Sequence, residues 1–291
     1  MMAALLSFSV FSLVFCHVCS AQLLEEICEG HAEFGPKIVN GTDARPFDTA
    51  WMASLYNISN NNNEFFCGGS LIHKYFVITA AHCLEGQEKI LVRMGESDRS
   101  CPASRCQGLK EYDVIETIPH PHFSPNSFEH DIALLRLATE VSFNEHIRPI
   151  CFILDDAIRA ERIRRFRAFG WGRTMNNNSV PSDKLQTIVL TRRNYKNCTE
   201  GFVINDWQIC AGNIFGDTCN GDSGGPLAAD FTYKGKTSFF LFGIVSAGSK
   251  HCNSNGVYTN AMSYKGWIVR TVAIHDYRIF RILYLDRPLY I

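Results

Sequence analysis

The serine in the segment DTCNGDSGGPL has the surroundings that a nucleophile requires. Ser223 follows Asp222 and is flanked by glycines on both sides. A serine hydroxyl is a weak nucleophile until a base within hydrogen-bond reach removes its proton. Glycine lets the backbone turn tightly, so that nearby N–H groups can point at one spot and stabilise an oxyanion. A glycine turn that only joins two strands is the alternative interpretation.

The base must come from elsewhere in the chain, and His82 in the segment VITAAHCLEG is the candidate. It follows a β-rich run and precedes Cys83, which could hold it in place. A neutral imidazole accepts the serine proton when an acid on its other nitrogen fixes the tautomer. A lone histidine is more often structural, so the assignment of His82 as the base depends on its occurring together with Ser223. The residue types alone do not select the acid, because the chain contains many aspartates.

The segments that must position these residues are short and β-rich. Runs such as EFFCGGSLIHKYFVITA, YDVIETI and SFFLFGIVSAG are separated by clusters of Gly, Pro, Asn and Asp. This pattern is typical of strands joined by turns and predicts an all-β barrel or sandwich. The clearest helical pattern is the last one, from about Tyr264 to Ile274, where apolar residues recur among polar ones.

Composition excludes several classes of protein. The 291 residues are 46% hydrophobic and 20% charged, with a formal net charge of −1, which is ordinary for a globular chain. There is no basic excess to indicate a nucleic-acid partner and no acidic excess typical of a disordered tail. The length allows one large core or two smaller ones.

The N-terminal segment predicts a secretory signal that is removed near Ala21. Residues 1–21 carry no charge, contain an apolar run from Ala3 to Phe15 and end in small residues, as signal peptides do. A transmembrane anchor is the alternative, but the apolar run is short for a membrane span. We therefore expect a secreted, extracellular protein with no membrane attachment.

The cysteine content agrees with an oxidising compartment. Ten of the twelve cysteines follow the predicted signal, and an even count in a secreted chain predicts five disulfides. No C-x-x-C pair occurs among these ten, so a zinc site is not expected. The count by itself leaves the pairing open.

Three motifs together resemble the chymotrypsin/trypsin family of serine peptidases. ITAAHC, HDIALLRL and CNGDSGGPL occur in this order, and the resemblance covers about residues 28–274. By the match to these motifs, His82 is the general base, Asp131 orients it and Ser223 is the nucleophile. The backbone N–H groups of Gly221 and Ser223 would form the oxyanion hole.

The resemblance also implies the fold and the division of the chain. We expect an all-β protein of two six-stranded antiparallel β-barrels with a C-terminal helix, and a substrate cleft between the barrels. His82 and Asp131 would lie on the first barrel and Ser223 on the second. The expected segments are a signal peptide at 1–21, a pro-segment at 22–37, a peptidase domain at 38–274 with a barrel boundary near 155, and an extension at 275–291.

The segment GPKIVNGT resembles the activation site of the family. Cleavage after Lys37 would free the α-amino group of Ile38, and Asp222 occupies the family position that supplies its counter-charge. The ion pair would order the segment around Gly221, a switch driven by one local charge. The aspartate beside Ser223 would therefore serve activation and would not be the partner of the serine.

Asp217 stands six residues before Ser223, where trypsin-like members carry the acid of the primary specificity pocket. A buried carboxylate is costly unless a substrate cation pairs with it. The resemblance thus implies cleavage after Arg or Lys and opposes an elastase- or chymotrypsin-like enzyme. The other residues matched to substrate binding are Ser246, Gly248 and Gly256.

Two departures from the family pattern support an alternative function. Ala247 follows Ser246 where the family usually has a large aromatic residue, and the chain continues past Ile274 with HDYRIFRILYLDRPLYI. The alternative is a catalytically weak or inactive homologue that acts as a binding or cofactor protein. Homologues of that kind usually lose the serine, whereas Ser223, His82 and Asp131 are all present.

The resemblance assigns partners to the cysteines. Cys28 with Cys151 is the bridge that would tether a cleaved pro-segment to the catalytic domain. A further bridge common in the family would end at Ala229 and is missing. The expected pairs are Cys28–Cys151, Cys67–Cys83, Cys101–Cys106, Cys198–Cys210 and Cys219–Cys252.

The remaining expectations concern modification, cofactors and partners. Sequons at Asn40, Asn57 and Asn197 predict N-glycosylation in a secreted chain. The loop with Glu96 and Glu111 resembles a calcium loop of some relatives, altered here by an insertion; no metal or cofactor is expected, and calcium is the alternative. We expect a monomer whose partners are protein substrates, an activating protease and serpin-type inhibitors.

Overall fold

The fold is built almost entirely from antiparallel strands that close into two barrels. The computed structural model describes residues 23–28, 42–43, 49–59, 63–102, 105–158, 160–173, 181–194, 198, 204–213, 218, 221–248 and 255–276. The expected all-β fold of two six-stranded antiparallel barrels is confirmed.

The first barrel contains strands β2–β7, which close in the order β2-β3-β4-β7-β6-β5. Apolar side chains such as Leu55, Leu71 and Ile78 are fully buried in its core. The strands are β2 (Met52–Asn57), β3 (Glu64–His73), β4 (Phe76–Thr79), β5 (Ile90–Met94), β6 (Lys110–Pro119) and β7 (Ala133–Leu137).

The second barrel follows the order β9-β10-β13-β12-β11-β8, and a β8–β9 pairing closes it. A two-residue strand, β1 (Thr42–Asp43), adds to β9 with Thr42 opposite Thr187. The strands of the barrel are β8 (Arg165–Gly170), β9 (Gln186–Arg192), β10 (Gln208–Gly212), β11 (Pro226–Tyr233), β12 (Lys236–Ala247) and β13 (Gly256–Asn260).

One α-helix, α1 (Lys265–His275), follows a 3-10 turn and lies one residue later than the sequence pattern predicts. Its buried residues Ile268, Val269, Val272 and Ala273 pack into the core of the first barrel. These four residues lie on one side of the helix and form the apolar stripe of an amphipathic helix. In the described part of the chain, no helix has both the length and the apolar character needed to cross a bilayer.

The segment 23–28 is packed between the two cores. Leu24 is 1% exposed and belongs to the first-barrel cluster, whereas Leu23 belongs to the second. The Leu24 N–H also donates to the Phe152 carbonyl at 3.1 Å, and Cys28 is bonded to Cys151. This part of the expected pro-segment is therefore held by buried apolar contacts as well as by a covalent bond.

Four of the five expected disulfides are present, and the fifth pair, Cys219 and Cys252, lies outside the described residues. Ala229, where a further family bridge would end, is buried in β11. It belongs to a core cluster that includes Phe166, Phe240 and Phe242, so aromatic packing supports this part of the barrel. The four bonds are Cys28–Cys151, Cys67–Cys83, Cys101–Cys106 and Cys198–Cys210.

Candidate active site

His82 lies in a 3-10 turn, Ala81–Leu84, directly after β4. The neighbouring Cys83 is buried and bonded to Cys67 in β3, so the turn is anchored to the barrel wall. The side chain of His82 is 18% exposed, and Phe128 packs edge-on against its ring with the centroids 5.5 Å apart. The imidazole is thus positioned by its surroundings and still open to solvent on one side.

Asp131 is fully buried and fixes the orientation of His82. Its Oδ1 accepts the backbone N–H of His82 at 2.9 Å, and its Oδ2 lies 2.7 Å from Nδ1 of the same ring. Ser246 donates its hydroxyl to Oδ2 at 2.5 Å. A carboxylate can only accept, so the arrangement places the ring proton on Nδ1 and leaves Nε2 as an acceptor.

The backbone that carries Asp131 is held in an unusual conformation. Phe128 and His130 have φ angles of 53° and 55°, which for non-glycine residues costs about 1–3 kcal/mol each and is typical of functional sites. The Asp131 carbonyl accepts the Thr259 hydroxyl at 2.7 Å.

Tyr264 lies next to this segment, and its hydroxyl is 3.0 Å from Nδ1 of His130. Burial, with a smaller contribution from the Asp131 charge, raises the pKa of Tyr264.

The serine segment is joined to the first barrel through its backbone. The carbonyl of Ser223 accepts the Gly68 N–H at 2.8 Å, and the Gly224 N–H donates to Val245 at 2.9 Å. Gly224 has a φ of +77°, and a Cβ there would collide with the Thr79 hydroxyl and the Gly68 carbonyl. Thr79 ends the strand that precedes the His82 turn, so this close approach packs the serine segment against the strand that leads to that turn.

The N–H groups of Gly221 and Ser223 face no acceptor among the residues that the structure describes. Gly221 has a φ of +102°, a conformation that side-chain-bearing residues rarely adopt. The turn is closed instead by the Gly225 N–H, which donates to Asp222 at 2.9 Å. The oxyanion hole that the resemblance assigns to these two N–H groups stays a prediction.

Asp222 points away from the serine and into the second barrel. Its Oδ1 accepts the Gly172 N–H at 2.7 Å, and a Cβ on either Gly170 or Gly172 would collide with its side chain. The glycines therefore make room for this carboxylate. The activation residues Lys37 and Ile38 lie outside the described residues.

The structure describes three residues of the expected specificity pocket, Ser246, Gly248 and Gly256, whereas Asp217 lies outside the described residues. Gly256 begins β13, Gly248 is exposed after the end of β12, and Ser246 is engaged with Asp131 as above. Thr218, next in sequence to Asp217, is buried and shares a 3.0 Å hydrogen bond with the Tyr258 hydroxyl. Sequence reasoning missed this pair, because no local pattern relates Thr218 to a tyrosine 40 residues later.

The residues of the expected calcium loop, Glu96 and Glu111, have partners within the protein, and calcium binding there stays a prediction. Ser54 and Tyr56 donate to the buried Glu96 at 2.5 and 3.0 Å, and Arg93 lies 3.5 Å from Glu96 and 2.8 Å from Glu111. The single guanidinium offsets the charge of one of these two carboxylates. Burial first, and the Glu96 charge second, raise the pKa of Tyr56 to about 12.

The remaining candidates are a possible metal site around His82 and the three glycosylation sequons. Cys67, His82 and Cys83 bring potential metal-ligand atoms close together, but the two sulfurs form a disulfide and cannot act as thiolates. The side chain of Asn57 is half-buried and donates to Gln87 at 2.6 Å. Asn40 and Asn197 lie outside the described residues.

Comparison with known proteins identifies the family. The family model described as Trypsin matches residues 38–268. The chain is 35% identical to Melanization protease 1 of Drosophila melanogaster over 82% of this chain and 66% of that protein. It is 36% identical to Vitamin K-dependent protein C of Rattus norvegicus over 84% of this chain and 53% of that protein. This chain therefore spans about two thirds of the length of the first relative and about half of the length of the second.

A solved structure gives the same result. The crystal structure of the Drosophila Grass clip serine protease of the Toll pathway superposes with a TM-score of 0.73 at 30% identity, covering 84% of this chain and 74% of that one. The chain belongs to the trypsin family of serine endopeptidases.

Proposed function

We propose that this protein is a secreted endopeptidase, made as a zymogen, that hydrolyses peptide bonds after Arg or Lys. The observation that supports it most directly is the bonding of Asp131, which accepts His82 and Ser246 together at 2.7 and 2.5 Å. This bonding leaves Nε2 of His82 as the acceptor of a proton in a cleft where the Ser223 backbone is anchored. An aspartate that holds the histidine in the correct tautomer is a general feature of serine–histidine–aspartate triads.

The reaction follows from these groups. Nε2 of His82 removes the Ser223 proton as Oγ attacks the substrate carbonyl, and Asp131 stabilises the imidazolium that forms. The N–H groups of Gly221 and Ser223 bind the oxyanion. His82 then returns the proton to the leaving amine, and water, activated by the same base, releases the acyl group.

Specificity and activation rest on three further residues. Asp217 would pair with the substrate cation, and the buried Thr218–Tyr258 hydrogen bond lies beside it in the chain. Cleavage after Lys37 would give Ile38 a free ammonium group for Asp222. The space that Gly170 and Gly172 leave around the Asp222 carboxylate supports that role. Protein substrates, an activating protease and serpin-type inhibitors would be the partners of a monomeric, extracellular enzyme.

The decisive experiment is N-terminal sequencing after limited trypsin treatment, followed by a panel of fluorogenic peptides. We expect a new terminus at Ile38 and a preference for Arg and Lys over neutral residues of about 10³ or more, because the neutral side chain leaves the carboxylate unpaired. Asp217→Ser should abolish the preference while a fluorophosphonate still labels the enzyme. Ser223→Ala, the control, should abolish labelling.

Two results would contradict the proposal. A parent enzyme that prefers Phe or Leu would show that Asp217 does not form the base of the pocket. A parent that is cleaved at Lys37 but neither binds the fluorophosphonate nor cleaves any peptide would be the inactive homologue that Ala247 suggests. On gels, the cleaved protein should separate into two chains only after reduction, because Cys28 is bonded to Cys151.

A further inference from the structure

The C-terminal end of α1 lies against strand β6 of the first barrel. Nε2 of His275, the last residue of the helix, is 3.6 Å from a carboxylate oxygen of Glu116 in β6. Asp276 has extended φ and ψ angles of −129° and 109°, so the helix ends there. The chain therefore leaves the helix beside β6. Residues 277–291, which lie outside the described residues, continue from this point.

The outer face of β6 is largely uncovered, although the strand has a neighbour on each side. It pairs with β5 and β7, and three of its ten residues are partly buried while the others are exposed. A register shift between Val114 and Glu116 leaves Ile115 without an opposite residue on β7, as at a β-bulge. Ile115 is 55% exposed, and Ile274 in the last turn of α1 is 76% exposed. Two large aliphatic side chains, each next in sequence to a residue of the His275–Glu116 contact, are therefore open to solvent.

Carboxylates gather around the residue at which the helix ends. Asp276 and Glu25 lie 3.0 and 3.4 Å from Nε2 of His73. The Tyr75 N–H donates to Nδ1 of the same ring, and the Tyr75 hydroxyl donates to Glu140 at 2.9 Å. Together with two carboxylates of β6, these residues form a region that we call the acidic face. Its carboxylates are Glu25, Asp113, Glu116, Glu140 and Asp276.

Cations compensate only part of this charge. Lys74 lies 3.4 Å from Glu140 and Arg136 lies 3.6 Å from Glu116, and Arg270 is one helical turn before Ile274 on α1. Five carboxylates against three cations leave a negative excess, to which the C-terminal end of the helix dipole adds. The exposed Asp113 makes no side-chain hydrogen bond or ion pair with any residue in the described ranges. The charges at the far end of β6 balance one another: Arg93, Glu96, Lys110 and Glu111.

The segment that continues from Asp276 has the complementary composition. It reads YRIFRILYLDRPLYI, and its three arginines outnumber its one aspartate. Apolar side chains in such a run are stabilised by removal from water. An extended chain rises about 3.3 Å per residue, so the segment can follow β6 from Glu116 to Asp113, a distance of about 10 Å. The charged residues are Arg278, Arg281, Asp286 and Arg287, and the apolar residues nearest the helix are Ile279, Phe280, Ile282, Leu283 and Leu285.

We propose that residues 277–291 of this chain dock on the acidic face. Arg278 and Arg281 lie against its carboxylates, and the apolar side chains between them cover Ile115 and Ile274. The covalent link through Asp276 favours this segment over a separate partner, because a tethered segment binds at an effective concentration of about millimolar without strong individual contacts. A second copy of the chain lacks that advantage. An anionic membrane attracts the arginines but repels the carboxylates beside them.

Photo-crosslinking of the full chain tests this proposal. The photoreactive residue p-benzoylphenylalanine replaces Ile115, and Ser223→Ala keeps the protein from digesting itself. We expect irradiation to give a cross-link within one chain, which mass spectrometry maps to residues 277–291. The matched control carries the same probe in place of Trp207, which is 44% exposed and packs on Tyr264 just before α1. The 11 residues of α1 separate that position from the acidic face by about 16 Å, so the control should give no such cross-link.

Charge reversal separates docking from chance contact. Arg278→Glu/Arg281→Glu should reduce the yield of the Ile115 cross-link at least about threefold, because attraction becomes repulsion. Arg164→Glu/Arg165→Glu, which changes the net charge equally on exposed residues of the second barrel, should leave the yield unchanged. The same probe at Thr117, another exposed residue of β6, is the second test if replacing Ile115 lowers the melting temperature.

Four results would overturn the proposal. The first is the lack of a cross-link to residues 277–291 from both probe positions in β6. The second is an equal yield after the charges of Arg278 and Arg281 are reversed. The third is a cross-link that joins two copies of the chain, and the fourth is loss of the cross-link when phosphatidylserine vesicles are added.

Discussion

Two histidine–carboxylate clusters in this protein use the same chemical groups for different ends. In one, His82 meets Asp131 at 2.7 Å. In the other, Nε2 of His73 lies 3.0 Å from Asp276 and 3.4 Å from Glu25. Both carboxylates of the second cluster are more than nine-tenths buried, so each cluster keeps its charges away from bulk water.

The difference lies in the nitrogens that remain available. His73 is completely buried, and its Nδ1 accepts the Tyr75 N–H at 3.2 Å, so both of its ring nitrogens are engaged. Nδ1 of His82 is engaged by Asp131, whereas its Nε2 lies 3.8 Å from the disulfide sulfur of Cys83, which has no proton to donate, and the side chain is 18% exposed. A histidine can act as a base only through a nitrogen that a substrate or nucleophile can reach. The second cluster is therefore a structural connection.

That connection joins three distant parts of the chain. Glu25 belongs to the segment linked through Cys28 to Cys151, His73 ends β3, and Asp276 follows α1. The Lys74 N–H also lies 3.4 Å from Glu25. The segment before the proposed activation site is thus held at a point away from His82 and Asp131, and the two clusters can be separated by mutation.

The largest expected effect comes from exchanging one aspartate in each cluster for asparagine. Asp131→Asn should lower turnover by about 10⁴, the factor known for this family, because the amide no longer enforces the right tautomer. Asp276→Asn should leave turnover within about twofold, since it touches no reacting group. Turnover per titrated active site measures both. Similar losses in the two variants would remove the distinction between the clusters.

Replacing His73 should lower the stability of the protein, whereas replacing His82 should not. His73→Ala removes a buried donor from between two carboxylates and should lower the free energy of unfolding by about 3 kcal/mol. His73→Gln should restore part of that loss, because its amide can donate in place of Nε2. His82→Gln should keep stability and abolish turnover. Denaturant unfolding provides the measurement, and a His73→Ala protein as stable as the parent would contradict the structural role.

A smaller effect is expected in the segment that carries Glu25. Leu24 is 1% exposed, whereas Ile27 is 48% exposed. Leu24→Ala should cost about 2 kcal/mol or more, since it leaves a cavity in the first-barrel core. Ile27→Ala, the matched control, should change the free energy of unfolding by less than about 0.5 kcal/mol. Equal effects in thermal unfolding of the activated protein would mean that only the disulfide holds this segment.

The smallest effect at neutral pH concerns a histidine that has no carboxylate partner among the described residues. Burial first, and the neighbouring His130 and His122 next, lower the pKa of His120 to about 4. The unfolded chain binds the proton nearer pH 6.5, so stability present above that pH is lost as the pH falls towards 4. His120→Phe, which keeps a ring against Trp267, should lose less stability on acidification than the parent.

Unfolding curves at several pH values between about 4 and 7 measure the effect of His120→Phe on the pH dependence. His146→Gln, a histidine in another loop, is the control. A parent and a His120→Phe protein with parallel pH dependence would show that His120 does not titrate in this range.

Much of the fold was predictable because its signals are local. Short runs of β-branched and aromatic residues separated by turn residues predicted strands, and the last helix was placed within one residue of its observed bounds. The motifs predicted that His82, Asp131 and Ser223 meet only through the family resemblance, and the structure shows the contact between His82 and Asp131. The physical argument by itself could not select Asp131 from the other aspartates.

Contacts between residues far apart in the chain were not predictable in the same way. Nothing in the local sequence marks Glu25, His73 and Asp276 as neighbours, or shows that Arg93 lies between Glu96 and Glu111.

The sequence by itself determined the chemical groups, the strand-forming runs and, through the motifs, the family. Only the tertiary structure decided which polar groups are buried together. The Ser246 hydroxyl reaches Asp131 because the end of the twelfth strand, in the second barrel, meets the segment before the seventh strand, in the first. A buried polar group must find its partner where the folded backbone brings one, and that position depends on how each barrel closes and how the two barrels pack.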